Sequence, residues 1–482
     1  MMRKFIITVF LITTAFTLNA QDNNLATDKY AVNSDEARIV AYNFVNGNTA
    51  RYDNGKHNKE EILVGELIPT NNQTSFFVFQ LQPKGFVIVS ANRRTEPILG
   101  YSLDNSFVTR SIPEHVQGWF NHYSNLIVAA VEQNIEPSDE IVHHWQSLTQ
   151  EPLLTSIKGI PIGPLLTTQW DQWYPYNALC PGGTPTGCVA TAMAQIMNYW
   201  QYPIRGIGYQ DYSTPGYGVG HHQVAYNETF YQWDSMDVQH PEAISTLMYH
   251  AGTSCWTHYN IGGSGSSLVS ALGGLQTYFD YSDSAYYIRR RETTYTDAEW
   301  EQLIIGNLND SIPVLYAGGS STAHAWVIDG YDGNNMFHMN FGWSGSSDGY
   351  YLLNIIYASW YNFSDDQDMV LSITPAYSPM SSDFQYAVDE YALVLQKEPH
   401  NPAALFYRAY AYTHLRRFDL SRNDLNDLLA IVPSHFEARL SLAVVLQELG
   451  RKQDALDNLN QLIQQHADSA VAYAARANLN AR

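Results

Sequence analysis

Hydrophobic and polar positions in the N-terminal third of the chain predict a small unit of mixed helix and strand. The stretch that begins at Ser34 with Asp35 and Glu36 follows the pattern of a capped helix. Two apolar runs, residues 76–81 and 85–90, then read as strands joined by a turn at Pro83. Helix followed by paired strands gives an α+β unit small enough to act as a lid.

The middle of the chain changes pattern twice. An amphipathic helix is predicted from Cys188 to about Trp200, and glycine- and tyrosine-rich loops are predicted after it. Four short apolar runs punctuated by glycine follow, at residues 312–316, 326–330, 336–340 and 349–353. Such runs suit an antiparallel sheet. A helical lobe packed on that sheet would leave a cleft between them, so this region is also predicted to be α+β.

Beyond residue 379 the spacing is helical and repeats every 34 residues, over 399–432 and 433–466. The register pairs Ala409 with Ala443, Leu415 with Leu449, Leu425 with Leu459, and Leu428 with Leu462. Helix-turn-helix units of this period resemble tetratricopeptide repeats. A further helix at 384–398 and another at 467–482 would flank them. With so few repeats, a scaffold or a docking surface for a protein partner is favoured over specific peptide recognition.

The extreme N-terminus predicts export. Arg3 and Lys4 precede an apolar run from residue 5 to 16, and Ala20 supplies a small residue at the end of the segment. This is typical of a signal peptide over residues 1–20. The run is too short to span a bilayer, and no later run is long enough. We therefore expect an extracellular or periplasmic protein without a membrane span.

Charge and cysteine content narrow the class of function. The chain has 482 residues, which predicts two or more domains, and a formal net charge of −21. Residues 156–375 alone carry 5 basic and 19 acidic side chains, which argues against a nucleic-acid partner. Of three cysteines, Cys188 is expected to stay free. Cys180 and Cys255 either pair or remain two separate thiols.

Cys188 and His324 are the candidates for chemistry. Cys188 lies at a helix start, where unpaired N–H groups and the helix dipole are expected to lower the thiol pKa, although a buried core cysteine is the plain alternative. His324 opens an apolar strand and can serve as the base, with His338 as its nearest rival. Asn340 is expected to accept the imidazole N–H.

Motifs of other hydrolase classes are missing from the sequence. The chain has no HExxH helix, no paired CxxC and no phosphate loop. We therefore expect neither a metal nor a cofactor.

Several motifs together carry a family resemblance. They are Thr186–Gly187–Cys188–Val189–Ala190–Thr191, Ala323–His324–Ala325, Asn340–Phe341–Gly342–Trp343 and Ser347–Asp348–Gly349. Residues 163–375 resemble the streptopain-like cysteine peptidases, a branch of the papain-like fold, and the upstream region resembles their prodomain. The resemblance implies a secreted endopeptidase made as a zymogen, which acts on proteins or peptides.

The same resemblance assigns roles to residues. It implies that Cys188 is the nucleophile, His324 the base and Gln172 the side-chain donor of the oxyanion hole. Asn340 matches the family's asparagine, whereas Phe341 stands where the family usually has tryptophan. The substrate cleft is expected to include Gly187, Trp343, Gly263 and Ser264.

We divide the chain into a signal peptide (1–20), an inhibitory prodomain (21–155), a catalytic domain (156–375) and helical repeats (383–482). Activation would cut within residues 149–163, unless the N-terminal unit is a permanent structural domain. Two other functions stay open. One is a catalytically silent scaffold or adhesin that acts through its repeats, and the other is a transglutaminase-like acyl transferase.

Overall fold

The structure is a computed structural model. It describes residues 28–52, 62–70, 73–82, 84–107, 114–150, 159–214, 218–318, 324–355, 367–376, 384–465 and 470–481. The predicted signal peptide lies outside these ranges, as does most of the predicted activation region.

Thirteen α-helices lie within the described ranges. They are α1 (Ser34–Tyr52), α2 (Glu114–Glu132), α3 (Asp139–Gln150), α4 (Cys188–Trp200), α5 (Pro241–Ser254), α6 (Leu268–Tyr278), α7 (Asp297–Asn309), α8 (Phe384–Lys397), α9 (Pro402–His414), α10 (Phe418–Ile431), α11 (Phe436–Glu448), α12 (Lys452–Gln465) and α13 (Ala470–Ala481). The first helix begins at the predicted residue, and Asn33 accepts a hydrogen bond from the Glu36 N–H at 2.9 Å as its cap.

Twelve strands also lie within the described ranges. They are β1 (Ile62–Thr70), β2 (Gln73–Leu81), β3 (Phe86–Ser90), β4 (Ile98–Ser102), β5 (Tyr209–Ser213), β6 (His221–Ala225), β7 (Tyr286–Arg289), β8 (Val314–Gly318), β9 (His324–Tyr331), β10 (Met336–Asn340), β11 (Gly349–Leu352) and β12 (Asp368–Leu371). Strands β5 and β6 form a separate hairpin. The predicted α+β architecture is confirmed.

The other ten strands form one antiparallel sheet in the order β1-β2-β3-β4-β11-β10-β9-β8-β12-β7. The four N-terminal strands are continuous with those of the middle region, because β4 pairs with β11 through Tyr101 opposite Tyr350 and Gly100 opposite Tyr351. The sequence predicted β2, β3 and β11 as strands, but it predicted neither β1 nor β4 and therefore not this junction. The N-terminal unit is therefore an extension of the sheet that carries His324.

The sheet separates two hydrophobic cores, and alternation along β9 shows the division. Trp326 and Ile328 face a core shared with α1, α2, α3 and α7. Ala325 and Val327 face a second core built with α4, α5 and α6. A strand buried on both faces shows continuous burial, and every residue of β9 is buried. Helix α4 thus lies against one face of the strand that His324 begins.

Residues 241–309, for which the sequence predicted mainly loops, contain three helices. Helix α7 begins with a capping box in which Thr296 and Glu299 satisfy each other's backbone N–H groups. Helix α6 begins after Ser267, whose hydroxyl accepts from the Ser270 N–H. These short polar caps were present in the sequence and could have located both helix starts.

The helical repeats follow the predicted register. Helices α9 and α10 form the first 34-residue unit and α11 and α12 the second, with Ala409, Ala443, Leu425 and Leu459 all buried. The repeats also contact the middle region. Arg205 pairs with Glu390 of α8 at 3.1 Å, and apolar contacts lie beside this ion pair.

Within the described ranges, no helix is both long and apolar enough to cross a bilayer. All three cysteines are free thiols, with Cys180 and Cys255 buried and Cys188 partly buried.

Candidate active site

Cys188 is the first residue of α4, and the backbone before it is built for a close approach. Gly187 has φ of 90°, and a Cβ placed on it would lie 2.9 Å from the carbonyl oxygen of Ser264. Only glycine combines this left-handed conformation with that clearance. The loop that contains Gly263 and Ser264 therefore packs directly beside the turn that presents the thiol.

The pKa of the Cys188 thiol is raised, whereas the sequence predicted that the helix start would lower it. Burial raises the pKa of Cys188, and backbone N–H groups of Ala325, Val189 and Cys188 itself lower it by a smaller amount. The expected influence of the helix start is present, but in the intact chain desolvation outweighs it. The resting thiol is therefore mostly protonated at neutral pH. The N–H of Ala325 lies beside the sulfur, which brings Cys188 against the residue that follows His324.

His324 begins β9 and is 1% exposed. Its ring lies near the rings of Trp326 and Phe341, with centroid distances of 6.0 and 6.4 Å. Its Nε2 lies 3.3 Å from the carbonyl oxygen of Phe341, and because a carbonyl can only accept, Nε2 carries the proton in this hydrogen bond. This fixes the tautomer that leaves Nδ1 as the basic nitrogen.

Asn340 does not take the predicted position as the direct acceptor. Its Oδ1 accepts from Gln195 Nε2 at 2.9 Å and from the Gly342 N–H at 3.1 Å, while its Nδ2 donates to the Thr168 carbonyl at 2.7 Å. The Phe341 carbonyl takes the acceptor role instead. Asn340 supports that carbonyl indirectly, because the Gly342 N–H belongs to the same peptide unit.

The backbone of Gln172 contacts the turn that precedes Cys188. The Gln172 carbonyl accepts a hydrogen bond from the Thr186 N–H at 3.0 Å. The side chain is 3% exposed, and its Nε2 has no hydrogen-bond partner among the described residues. A buried amide donor without a partner costs free energy and calls for an explanation. An oxyanion that binds during the reaction would supply the missing acceptor.

Trp343, the remaining predicted cleft residue, is partly buried and packs against the core that β9 shares with α1, α2, α3 and α7. The next residue, Ser344, donates its N–H to the Trp170 carbonyl at 3.0 Å and its hydroxyl to Asp171 at 2.8 Å. The 340–345 turn therefore contacts the segment that leads into Gln172.

His338, the rival base, is occupied elsewhere. Its Nδ1 lies 2.6 Å from Asp329 Oδ1, and the other oxygen of that carboxylate accepts from the Leu166 N–H. Burial alone lowers the pKa of His338, but the Asp329 carboxylate, together with smaller contributions from Asp348 and Asp104, more than offsets this, so the pKa lies above its usual value. The buried ion pair ties β9 to β10 and gives His338 a structural place in the sheet.

Two residues that the sequence analysis left unassigned also support the site. Asp348 is buried and accepts from the Phe341 N–H at 2.9 Å, and its burial raises its pKa to about 7. Gln195 on α4 is fully buried and bonds to Asn340. A glutamine on the apolar face of a helix was the available sequence signal. Among the described residues, no group of three or more metal-ligating side chains converges.

The N-terminal unit contacts this site from two directions. The Trp119 ring of α2 lies 5.2 Å from the Trp326 ring, behind the strand that begins at His324. Two residues of the loop after β4 also accept hydrogen bonds from the middle region. The Asn105 side chain accepts from the Gln169 side chain at 3.2 Å, and the Ser106 carbonyl accepts from the Ser347 N–H at 3.2 Å. Both elements that hold His324 and Gln172 are thus in contact with the N-terminal unit.

Comparison with known proteins gives this arrangement a family. Residues 170–351 match the model of the Peptidase C10 family, residues 29–127 that of the Spi protease inhibitor, and residues 437–469 that of a tetratricopeptide repeat. Streptopain from Streptococcus pyogenes is 31% identical over 376 residues, which cover 69% of this chain and 87% of streptopain. The chain belongs to the Peptidase C10 family: it is a cysteine protease with an inhibitor-like prodomain, made as a zymogen.

Two other relatives extend the comparison. The thiol protease/hemagglutinin PrtT of Porphyromonas gingivalis is 32% identical over 332 residues, which cover 62% of this chain but only 37% of PrtT. The solved structure of a fragment of prointerpain A from Prevotella intermedia matches with a TM-score of 0.50 and 31% identity. This match covers 64% of this chain and 98% of that one. The prozymogen fold is shared.

Proposed function

We propose that the chain hydrolyses peptide bonds in proteins through Cys188 as nucleophile and His324 as base, with Gln172 completing the oxyanion hole. The observation that carries this proposal is the unpartnered, buried Gln172 amide beside the turn of Cys188. A core glutamine would have its polar atoms satisfied. The sulfur of Cys188 also lies against the N–H of Ala325, the residue that follows His324. This contact supports the pairing of Cys188 with His324.

The reaction follows from these positions. His324 takes the thiol proton, and the Cys188 sulfur attacks the scissile carbonyl carbon. The resulting oxyanion accepts hydrogen bonds from Gln172 Nε2 and the Cys188 N–H. His324 then protonates the leaving amine, which departs and leaves a thioester. Water, deprotonated by His324, attacks the thioester and releases the acid product and the thiol.

We further propose that the inhibitory prodomain spans residues 21–155, the catalytic domain 156–375 and the repeats 383–482. The contacts of Trp119, Asn105 and Ser106 described above support inhibition by holding the elements around His324 and Gln172. Cleavage within 149–163 would release them. Export through a signal peptide at residues 1–20 belongs to the same proposal, as does protein docking at the repeats.

Labelling with a peptidyl chloromethyl ketone tests the proposed nucleophile. We expect one label per activated chain, at Cys188, because this thiol is partly exposed and lies against the residue that follows the base His324, whereas Cys180 and Cys255 are buried. Mass spectrometry of tryptic peptides locates the label. The Cys188→Ala chain is the matched control and should take up none.

The outcomes separate the competing functions. Labelling of Cys188 together with casein hydrolysis supports the peptidase. Labelling together with crosslinking of casein to an added amine would support an acyl transferase. An activated chain whose Cys188 stays unlabelled while Cys180 or Cys255 reacts would overturn the proposal and favour a silent scaffold.

Gln172→Ala is expected to lower kcat by about 10² to 10³-fold, because it removes one of two donors to the oxyanion. Since the donor strengthens its bond in the transition state, KM should change little. Steady-state kinetics on a fluorogenic peptide checks this. Gln169→Ala, three residues earlier on the same segment, is the control. If Gln169→Ala lowered kcat as much as Gln172→Ala does, the assignment of Gln172 as the oxyanion donor would be wrong.

A further inference from the structure

Gln195 is a fully buried polar residue on α4, two turns beyond Cys188. The buried residues next to it in α4 are mostly apolar and include Ala192, Met193 and Ile196. Burying an amide in such surroundings is costly unless each polar atom finds a partner. The partners that Gln195 has found connect three separate segments of the candidate active site.

Both ends of the Gln195 amide are used. Its Nε2 donates to Asn340 Oδ1 at 2.9 Å. Its Oε1 accepts from the Thr168 hydroxyl at 2.9 Å and, at a longer 3.4 Å, from the Trp170 N–H. One side chain on the cysteine helix thus bonds both to the last residue of β10 and to the segment that runs into Gln172.

Asn340 carries the connection to the histidine. The same Oδ1 accepts from the Gly342 N–H at 3.1 Å, and the carbonyl of that peptide unit, on Phe341, accepts from His324 Nε2 at 3.3 Å. When both the N–H and the carbonyl of a peptide unit are hydrogen-bonded, the unit is held in one orientation and each bond strengthens the other. Asn340 also donates to the Thr168 carbonyl at 2.7 Å, which closes a ring with Gln195.

We propose that Gln195 is a positioning residue for catalysis. Through Asn340 it holds the Phe341–Gly342 peptide so that its carbonyl orients His324. Through Thr168 it keeps the segment of Gln172 in register with the helix that presents Cys188. This inference rests on the proposed function, since it assumes those catalytic roles. It adds a residue that never touches substrate and still sets the geometry of the base and the oxyanion donor.

The packing around the turn fits this role. Gly342 has φ of +71°, and a Cβ on it would lie 2.8 Å from Thr191 Cγ2, one turn before Gln195 on α4. The turn therefore sits directly on the helix, and a small change in the Gln195 bonds is passed to the peptide that faces His324. A displacement of about 1 Å at a reacting group can cost about 10²-fold in rate.

The test compares Gln195→Met with Gln210→Met in the full-length chain. Both glutamines are buried, but Gln210 lies on β5 and bonds to Tyr226, away from the site. Activation is started with a trace of immobilised unaltered enzyme, and active sites are counted with the chloromethyl ketone. We expect Gln195→Met to lower kcat per titrated site by about 10 to 10²-fold with little change in KM. Gln210→Met should leave kcat unchanged.

Gln195→Glu provides a signature that lost stability alone would not give. A neutral carboxyl can donate to Asn340 and accept from Thr168, whereas a carboxylate cannot donate. Burial raises the pKa of such a group. We therefore expect Gln195→Glu to approach unaltered kcat at acidic pH and to lose it as pH rises, relative to the unaltered enzyme, whereas Gln195→Met stays low throughout.

Two outcomes would overturn the inference. Unchanged kcat in folded Gln195→Met overturns it, and so do matching pH profiles for Gln195→Met and Gln195→Glu. If Gln195→Met does not fold, Thr168→Val removes one bond of the same ring and should lower kcat in the same direction, by less. Failure of the proposed function looks different, because Cys188 would then remain unlabelled in the unaltered chain.

Discussion

The Cys188→Ala chain is expected to keep its full length and to digest no casein, while the unaltered chain shortens and digests it. Alanine removes the only atom that can form the thioester, and water in its place would lack the proximity that the helix start provides. The remaining oxyanion donors cannot supply a nucleophile. Activity should therefore fall by at least about 10⁵-fold, to the background of the assay.

Two measurements check this result. Electrophoresis follows chain length during incubation, and release of soluble peptides from casein follows hydrolysis. Cys180→Ala is the matched control, because it removes a buried thiol outside the site and should both shorten and digest. If Cys188→Ala shortens in a pure preparation, self-processing does not depend on this thiol, and the zymogen mechanism proposed above is wrong.

The sequence was sufficient for features that depend on local spacing. The strands around His324 and Asn340 were visible as short apolar runs, and the 34-residue period located the repeat helices. Residues 241–309 were misjudged because glycine and tyrosine hid the helical period there, although the cap at Thr296 was readable. Periodicity predicts an element best where one face is apolar, and helices buried on several sides weaken that signal.

Features that join distant segments could not be read from the sequence. The pairing of Tyr101 with Tyr350 joins strands about 250 residues apart, and no local pattern sets that register. The support of His324 by the Phe341 carbonyl also depends on tertiary packing. Asn340 was recognised as important, but its bonds to Gln195 and Thr168 appear only once three segments are folded together.

The raised pKa of Cys188 shows why a helix start alone does not define a reactive thiol. Partial charges at the first turn stabilise a thiolate by a modest amount, whereas loss of water disfavours the charge more strongly. An imidazole must therefore take the proton if the thiolate is to form near neutral pH. The chemistry of the site thus depends on how close His324 is held, and this explains why several buried polar groups are used to hold it.

His324→Ala follows from this reasoning as the second large effect. Without the imidazole, Cys188 has no proton acceptor and the leaving amine has no proton donor, so kcat should fall by about 10⁴-fold or more. The residual rate should rise with pH, because only direct ionisation of a thiol with a raised pKa can then supply the thiolate. Iodoacetamide labelling of Cys188 should shift to alkaline pH in the same way.

The matched control is His250→Gln. His250 is also a buried imidazole, but it bonds to Tyr231 in the core of the helical lobe, and burial lowers its pKa to about 4. A glutamine can keep that bond, so kcat should stay near that of the unaltered enzyme. Kinetics of activated, titrated enzyme across pH separates the two variants. If His324→Ala keeps a bell-shaped pH profile and most of its kcat, another group serves as the base, and the pairing of Cys188 with His324 must be abandoned.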